Sequence, residues 1–524
     1  MMNVVAHHGV IWATLALLVC LRIVFAFVQA RSQARRSAGF GCKPAVKRPR
    51  NRWLCGIDLA LQKLRSLSRH TYLEDTTRLH TDVGATFEET MWGSTAIVTI
   101  EPENVKAIMA TQFNDFELSD QRIRAFEPLT GQGIFSSNGA VWAHGRSIVR
   151  PIFTRTQIAN LDVYERHFQN FLALIPRDGS TVDMQPLFQR LTFDTASEIL
   201  FGESIHTLVS DPSEHSKAVA EAYSRALTGI VTRVVLGPLI SLHSWIEPKF
   251  FSAIKTLDDY IDSFVDQALK FREATRKGAT AVQDEKDPDC ARDDKEATNK
   301  KNYVFLQELA KDTDDRKVLR DQLLSLLSAG RDTTASLLSS IFWCLAHNPS
   351  ALQNLREEVA KLDGKRPSYQ ELKDMTYLRW VLNETLRLIP PVVAIIRSAK
   401  QDTFLPVGGG PDGKSRVFVR KGQTVMYRIW ALHRSVPIWG PDAPDFRPER
   451  WVDAAKLTSW RLVSFSGGPR ICPGQTLALT EAGYTTVRLL QTFSKMEHRD
   501  NGPYREMVGA VLQHRDGVKV SLTE

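Results

Sequence analysis

Apolar residues crowd the start of the chain. Residues 9–28, GVIWATLALLVCLRIVFAFV, are nearly all apolar, and Arg22 is their one charge. About 20 such residues cross the hydrocarbon core of a bilayer. Residues 1–30 therefore predict a membrane anchor, with Arg22 close enough to one end to snorkel. Basic residues follow the apolar run, which places the body of the protein on the cytosolic side. A cleaved secretory signal would carry its basic residues ahead of the apolar core. From about residue 58 to 400 apolar positions recur at helical spacing, as in 317–347 and 371–388. A shorter strand-and-turn region follows, including Arg416–Arg420 and Thr424–Ile429. Residues 276–301 break the pattern, with 14 charged residues and one large aliphatic, Val282. Such a segment buries too little apolar surface to offset its ordering entropy, which predicts an exposed, disordered insertion.

Charge sharpens this division. The chain has 524 residues and a net charge of +8. Residues 1–57 hold nine basic residues and no acidic one, so the rest is nearly neutral. The stretch 31–57 reads as a basic linker. A neutral body argues against a nucleic-acid partner, which would call for basic clusters on the folded domain. Six cysteines without a CxxC pair exclude a disulfide scaffold and a zinc knuckle.

The strongest local string runs from Phe465 to Gly474, Phe-Ser-Gly-Gly-Pro-Arg-Ile-Cys-Pro-Gly. A lone cysteine is usually a small buried hydrophobe. Here Cys472 is surrounded at fixed offsets by groups suited to a thiolate that holds iron. Gly467, Gly468 and Gly474 permit tight turns and close approach to a flat cofactor. Backbone amides can tune the sulfur, and Arg470 can neutralise a carboxylate. Phe465 can shield a cofactor edge. The apolar run Thr476–Phe493 predicts a helix just after Cys472, whose positive end favours thiolate.

Other segments carry less on their own. Glu384 and Arg387 share a helix face at i and i+3, a spacing common to solvated surface pairs. Gly330 interrupts a long helical run at a cost of roughly 1 kcal/mol against alanine. It serves either close helix packing or a local opening of the helix. Thr333 and Thr334 could simply bond back to helix carbonyls. Trp142 and Arg146, at i and i+4, would aim two donors from one helix face, or form an ordinary cation–π pair. Gly408–Gly413 formally satisfies GxGxxG but contains Pro411 and leads into an extended run, so it is a turn. The sequon at Asn383 falls inside a predicted helix. Leu236–Ile240 is either a loop that dips into a membrane or a packed loop.

Together these segments resemble the cytochromes P450. The string 465–474 matches that family's Phe-x-x-Gly-x-Arg-x-Cys-x-Gly at every fixed position. The resemblance implies that Cys472 is the axial ligand of haem b, with Phe465 and Arg470 beside it. Pro473 stands where many relatives carry an aliphatic residue, which removes one amide donor near the sulfur. Glu384 and Arg387 match the family's Glu-x-x-Arg pair and are expected to form a buried structural triad with Arg450 of Pro448-Glu-Arg. Ala329-Gly-Arg-Asp-Thr matches the oxygen-activation motif, with Asp332 relaying protons and Thr333 acting on bound oxygen. Trp142, Arg146 and Arg397 fall at propionate-binding positions. Longer strings, such as Gly440–Trp451 and Ala478–Ala482, resemble the fungal microsomal hydroxylases of alkanes and fatty acids.

The fold this implies is mainly α with a minor β region, the cytochrome P450 fold, preceded by one transmembrane helix. Residues 58–524 form the haem-thiolate catalytic domain. The implied function is a monooxygenase of the endoplasmic reticulum membrane, single-pass and facing the cytosol. Its expected partners are an NADPH–cytochrome P450 reductase, cytochrome b5 as an optional second donor, the lipid bilayer and a small hydrophobic substrate. A fatty acid or alkane is the leading substrate class, and apolar Val392–Ile396 would pass near the haem. Oxidation of a specialised fungal metabolite is the alternative. A haem-thiolate isomerase or dehydratase, or a non-catalytic haem protein, is disfavoured by the presence of Asp332 and Thr333.

Overall fold

The structure is a computed structural model that describes positions 17, 20–21, 24–25, 27–48, 56–91, 93–153, 160–284, 305–456, 460–500 and 502–524. It is mainly helical with a minor strand content, and its contacts divide the chain into two compact units.

The smaller unit comprises residues 1–60, 79–117 and 397–427. Its sheet is built from β1 (Val46–Lys47), β2 (Thr86–Met91), β3 (Ser94–Thr99), β4 (Phe116–Glu117), β5 (Ile395–Ala399) and β8 (Thr424–Tyr427), in the order β1-β2-β3-β8-β5-β4. A separate antiparallel hairpin joins β6 (Thr403–Gly409) to β7 (Ser415–Val419). The formal GxGxxG is the end of β6 and the turn that follows it, with Gly408 and Gly410 at φ 110° and 78°. The expected basic linker is more ordered than its composition predicts. Residues 31–39 are helical, Arg36 pairs with Asp402 at 2.6 Å, and β1 adds a parallel edge strand to β2. Backbone pairing, which charge counting cannot see, draws this segment into the fold.

Most of the expected anchor, residues 9–28, lies outside the described residues. Among the described residues no helix is long and apolar enough to cross a membrane.

The larger unit comprises residues 61–78, 118–396 and 428–524. The helices that position the site are α1 (Gly139–Val149), α2 (Met184–Phe201), α3 (Glu214–Leu236), α4 (Phe250–Asp284), α5 (Arg316–His347), α6 (Thr376–Leu388) and α7 (Gln475–Thr492). Asp183, Ser213 and Asp315 cap the N-termini of α2, α3 and α5 through their side-chain oxygens. α5 is buried around most of its circumference, with polar residues such as Asp321, Arg331 and Asp332 among the enclosed ones. It packs on α2 and α4 and lies against α6 and α7.

Two predicted boundaries shift. The run 371–388 is two helices, because Met375 is extended at ψ 104° between Tyr369–Asp374 and α6. The charged segment at 276–301 begins as helix: α4 continues through Asp284, so 276–284 are helical rather than unstructured, and the remainder lies outside the described residues. Leu236–Ile240 carries the chain from the end of α3 into a short 3-10 turn, Gly237–Leu242.

Candidate active site

The site begins with a buried carboxylate. Glu384, on α6, has no exposed surface and accepts five hydrogen bonds. Arg387 donates from Nε at 2.9 Å and from Nη2 at 2.7 Å, in bidentate form. Arg450 Nε donates at 2.9 Å, Trp451 Nε1 at 3.0 Å and the Arg447 amide at 3.0 Å. Arg387 spends its remaining donors on the carbonyls of His433, Ala443 and Asp445. The structure therefore contains the expected triad and adds Trp451 and Arg447 to it.

This network fixes the platform for the cysteine loop. The carbonyl of His433 is held by Arg387, and its Nε2 accepts the Val463 amide at 3.0 Å. Burial and the nearby Arg387 and Arg434 push the His433 imidazole down to about 3, so it stays neutral and can accept. Ser464 Oγ donates to the Leu386 carbonyl of α6 at 3.0 Å. The loop then closes on itself, with the Cys472 amide donating to the Phe465 carbonyl at 3.0 Å. Gly468 takes φ 61° in its turn, and a Cβ on Gly467 would meet the Trp460 ring at 2.4 Å. Gly474 differs: its φ is −87°, and a Cβ there would meet only Phe153, at 3.6 Å. Glycine at 474 is thus not required by the fold.

Cys472 lies three residues ahead of α7 and is only partly buried. Desolvation pushes its thiol up, while the Gly474 amide and the Arg146 guanidinium favour the thiolate. Burial in turn lowers the Arg146 pKa, and the negative sulfur opposes that shift. Arg146, on α1, reaches the loop and donates to the Ile471 carbonyl at 2.7 Å. Arg470 stacks on the Trp142 ring at 4.3 Å and bonds the Ser137 carbonyl and Asn138 Oδ1. Trp142, Arg146, Arg470, Phe465 and Cys472 are thus assembled in one unit by α1 and the loop. Arg397 belongs to the smaller unit. It is buried on β5, where desolvation lowers its pKa and Tyr427 opposes the change.

Two guanidiniums bonded to neutral oxygens beside a thiol make a donor set suited to a thiolate and to further anionic groups. An iron-bound sulfur and haem carboxylates are groups of that kind, so these residues fit haem.

α5 contributes a second element. Between Asp321 and Phe342 every residue is buried except Ser328, Ala329, Gly330 and Thr333, which stay partly exposed. A Cβ on Gly330 would meet only the Cβ of Ala196, at 3.7 Å. Close helix packing therefore does not explain this glycine. The helix is nevertheless continuous here rather than opened, and Thr333 Oγ1 donates to the Ala329 carbonyl at 2.6 Å. Asp332 is buried and points elsewhere, toward Tyr223 and Arg331. Sequence reading also missed Glu481 on α7, whose carboxyl desolvation pushes up to about 8.

The comparisons fit this geometry. Residues 47–522 match the family model described as Cytochrome P450. The chain belongs to the cytochrome P450 family. It is 41% identical over 92% of its length to "Cytochrome P450 monooxygenase himC" of Aspergillus japonicus, covering 84% of that protein. It is 38% identical over 96% of its length to "Cytochrome P450 52A13" of Debaryomyces hansenii, covering 96% of that protein. With "Cytochrome P450 52A3-B" of Candida maltosa the identity is 40%, over 81% of this chain and 80% of the relative. The protein is a P450 monooxygenase, and enzymes of this family hold haem iron through a cysteine thiolate.

Proposed function

We propose that this P450 hydroxylates an aliphatic C–H bond of a fatty acid or alkane. In this reading Cys472 is the thiolate that holds the haem, and Trp142, Arg146 and Arg470 hold its carboxylates. The observation that carries the assignment is Cys472, partly open and set beside Arg146 and the Gly474 amide. When bound, the haem uses O2, two electrons and two protons to place one oxygen atom in a C–H bond and reduce the other to water.

The chain's own residues orient substrate and handle protons. Residues 392–396 are five successive apolar residues, each partly exposed, a lining suited to an alkyl chain. Thr333, partly exposed on α5, supplies a proton on that face, and Asp332 resupplies it. Thr333→Ala is expected to leave haem content unchanged and to lower the product formed per NADPH consumed by roughly a hundredfold, the low end of what a positioned proton-transfer group contributes. Parallel measurement of NADPH loss and product checks this, and unchanged coupling would remove Thr333 from the assignment.

The electrons come from an NADPH–cytochrome P450 reductase, with cytochrome b5 as an optional second donor. Residues 1–30 anchor the enzyme at the endoplasmic reticulum membrane, into which a hydrophobic substrate partitions. The longer strings that resemble alkane and fatty-acid hydroxylases are mostly scaffold and speak for ancestry, so the apolar lining at 392–396 carries the substrate class. Its test is product analysis by mass spectrometry, in microsomes holding the enzyme and a fungal reductase, with fatty acids and alkanes of graded length. Terminal or near-terminal alcohols are expected. No turnover by haem-replete enzyme would reject the aliphatic substrate in favour of a specialised metabolite.

A further inference from the structure

Asp332 stands one residue before Thr333, so helical geometry turns it about 100° away from the exposed strip of α5. It is 4% exposed. Its Oδ2 accepts the Tyr223 hydroxyl of α3 at 2.7 Å, and its Oδ1 accepts Arg331 Nη1 at 3.0 Å. Tyr223 is fully buried, and desolvation together with Asp332 raises its phenol well above the ordinary value, so it remains a donor. The Arg331 guanidinium lies 4.7 Å from the Phe193 ring and 4.6 Å from the Tyr223 ring, two aromatic faces that hold it in place. Thr192 of α2 fixes the Arg331 carbonyl at 2.8 Å. Three helices thus converge on one carboxylate, and none of these groups presents it to the Thr333 side.

We infer that Tyr223 is a positioning residue whose phenol latches the Asp332 carboxylate on the buried side of α5, so that proton delivery to Thr333 requires the latch to open. This rests on the reading of Asp332 as a proton relay. Opening means that the carboxylate gives up the Tyr223 hydroxyl and turns about its side-chain torsions toward the exposed strip. The phenol keeps its proton throughout. Because Tyr223 sits on α3, a displacement of α3 would release the carboxylate, which makes proton supply depend on the position of that helix.

The test uses full-length, haem-loaded enzyme with its reductase and the Tyr223→Phe variant. Loss of one hydrogen bond to a charged group is expected to raise the unlatched population by about tenfold. The primary readout is the product-to-peroxide ratio in H2O against D2O, because that ratio is set after electron delivery. Wild-type enzyme is expected to lose product share in D2O, and Tyr223→Phe to lose less, with KM within about twofold of wild type. A second readout needs no turnover: Tyr223→Phe and Asp332→Asn should be non-additive in urea unfolding, by at least about threefold in the unfolding constant. An unchanged isotope effect in folded Tyr223→Phe, or additive stabilities, would overturn the latch. If Tyr223→Phe does not fold, Arg331→Lys loosens the same clamp and should shift the isotope effect in the same direction. Asp332→Asn separates the two failures. Unimpaired coupling in that variant rejects the relay and the latch together. Impaired coupling beside an unaltered Tyr223→Phe rejects the latch alone.

Discussion

Glu384→Ala is expected to yield protein that takes up little or no haem and unfolds at markedly lower denaturant. The carboxylate is the shared acceptor of Arg387, Arg450, Trp451 Nε1 and the Arg447 amide, all within 3.0 Å. Alanine leaves Arg387 buried beside a void without its anion, and Arg450 with Asp442 at 3.4 Å. Removing one partner of such a network costs about 3–5 kcal/mol, a large share of the stability of any domain. The effect on haem follows from connectivity. Arg387 holds the His433 carbonyl, His433 holds the Val463 amide, and Val463 opens the loop that ends in Cys472. Glu384→Gln keeps the shape but not the charge and should fall between wild type and alanine. Haem-to-protein ratio and urea midpoint check both variants. Normal haem content in folded Glu384→Ala would show that the triad does not support the loop.

Cys472→Ser is expected to lower turnover by more than about a hundredfold, beyond the cost of losing a partner one shell out from a metal. Serine preserves the volume and the amide contact of the loop. It does not supply a soft anion at neutral pH, because its hydroxyl ionises far less readily than a thiol. Overall stability should change little, since residue 472 is only partly buried and its backbone bond to Phe465 is retained. The reduced, carbon-monoxide-treated variant should lose the thiolate-type spectrum that wild type displays. A variant that keeps both the spectrum and the turnover would move the ligand to another residue.

Much of this site was legible because its chemistry is local in sequence. The loop from Phe465 to Gly474 carries its turn glycines, its cation and its sulfur within ten residues. The Glu384–Arg387 pair is legible for the same reason, and helical periodicity placed Trp142 and Arg146 on α1. What stayed hidden depends on contacts between distant segments. Tyr223 is 109 residues from Asp332, and nothing in either local sequence announces that bond. The helix-opening reading of Gly330 failed as well, because backbone hydrogen bonding carries α5 straight through it. Charge counting took residues 31–57 for a linker and missed that two of them pair with β2. Composition was equally blind at 276–284, where α4 extends into a charged stretch. Met375 breaks the run 371–388 through one extended residue that hydropathy cannot register.

The central claim is that the sulfur of Cys472 holds the haem iron. X-ray absorption at the iron edge of the purified, substrate-free enzyme tests it most directly, alongside Cys472→Ser. One sulfur neighbour at thiolate distance in wild type, absent in the variant, is the predicted result. A first shell of nitrogen and oxygen alone in wild type would contradict it.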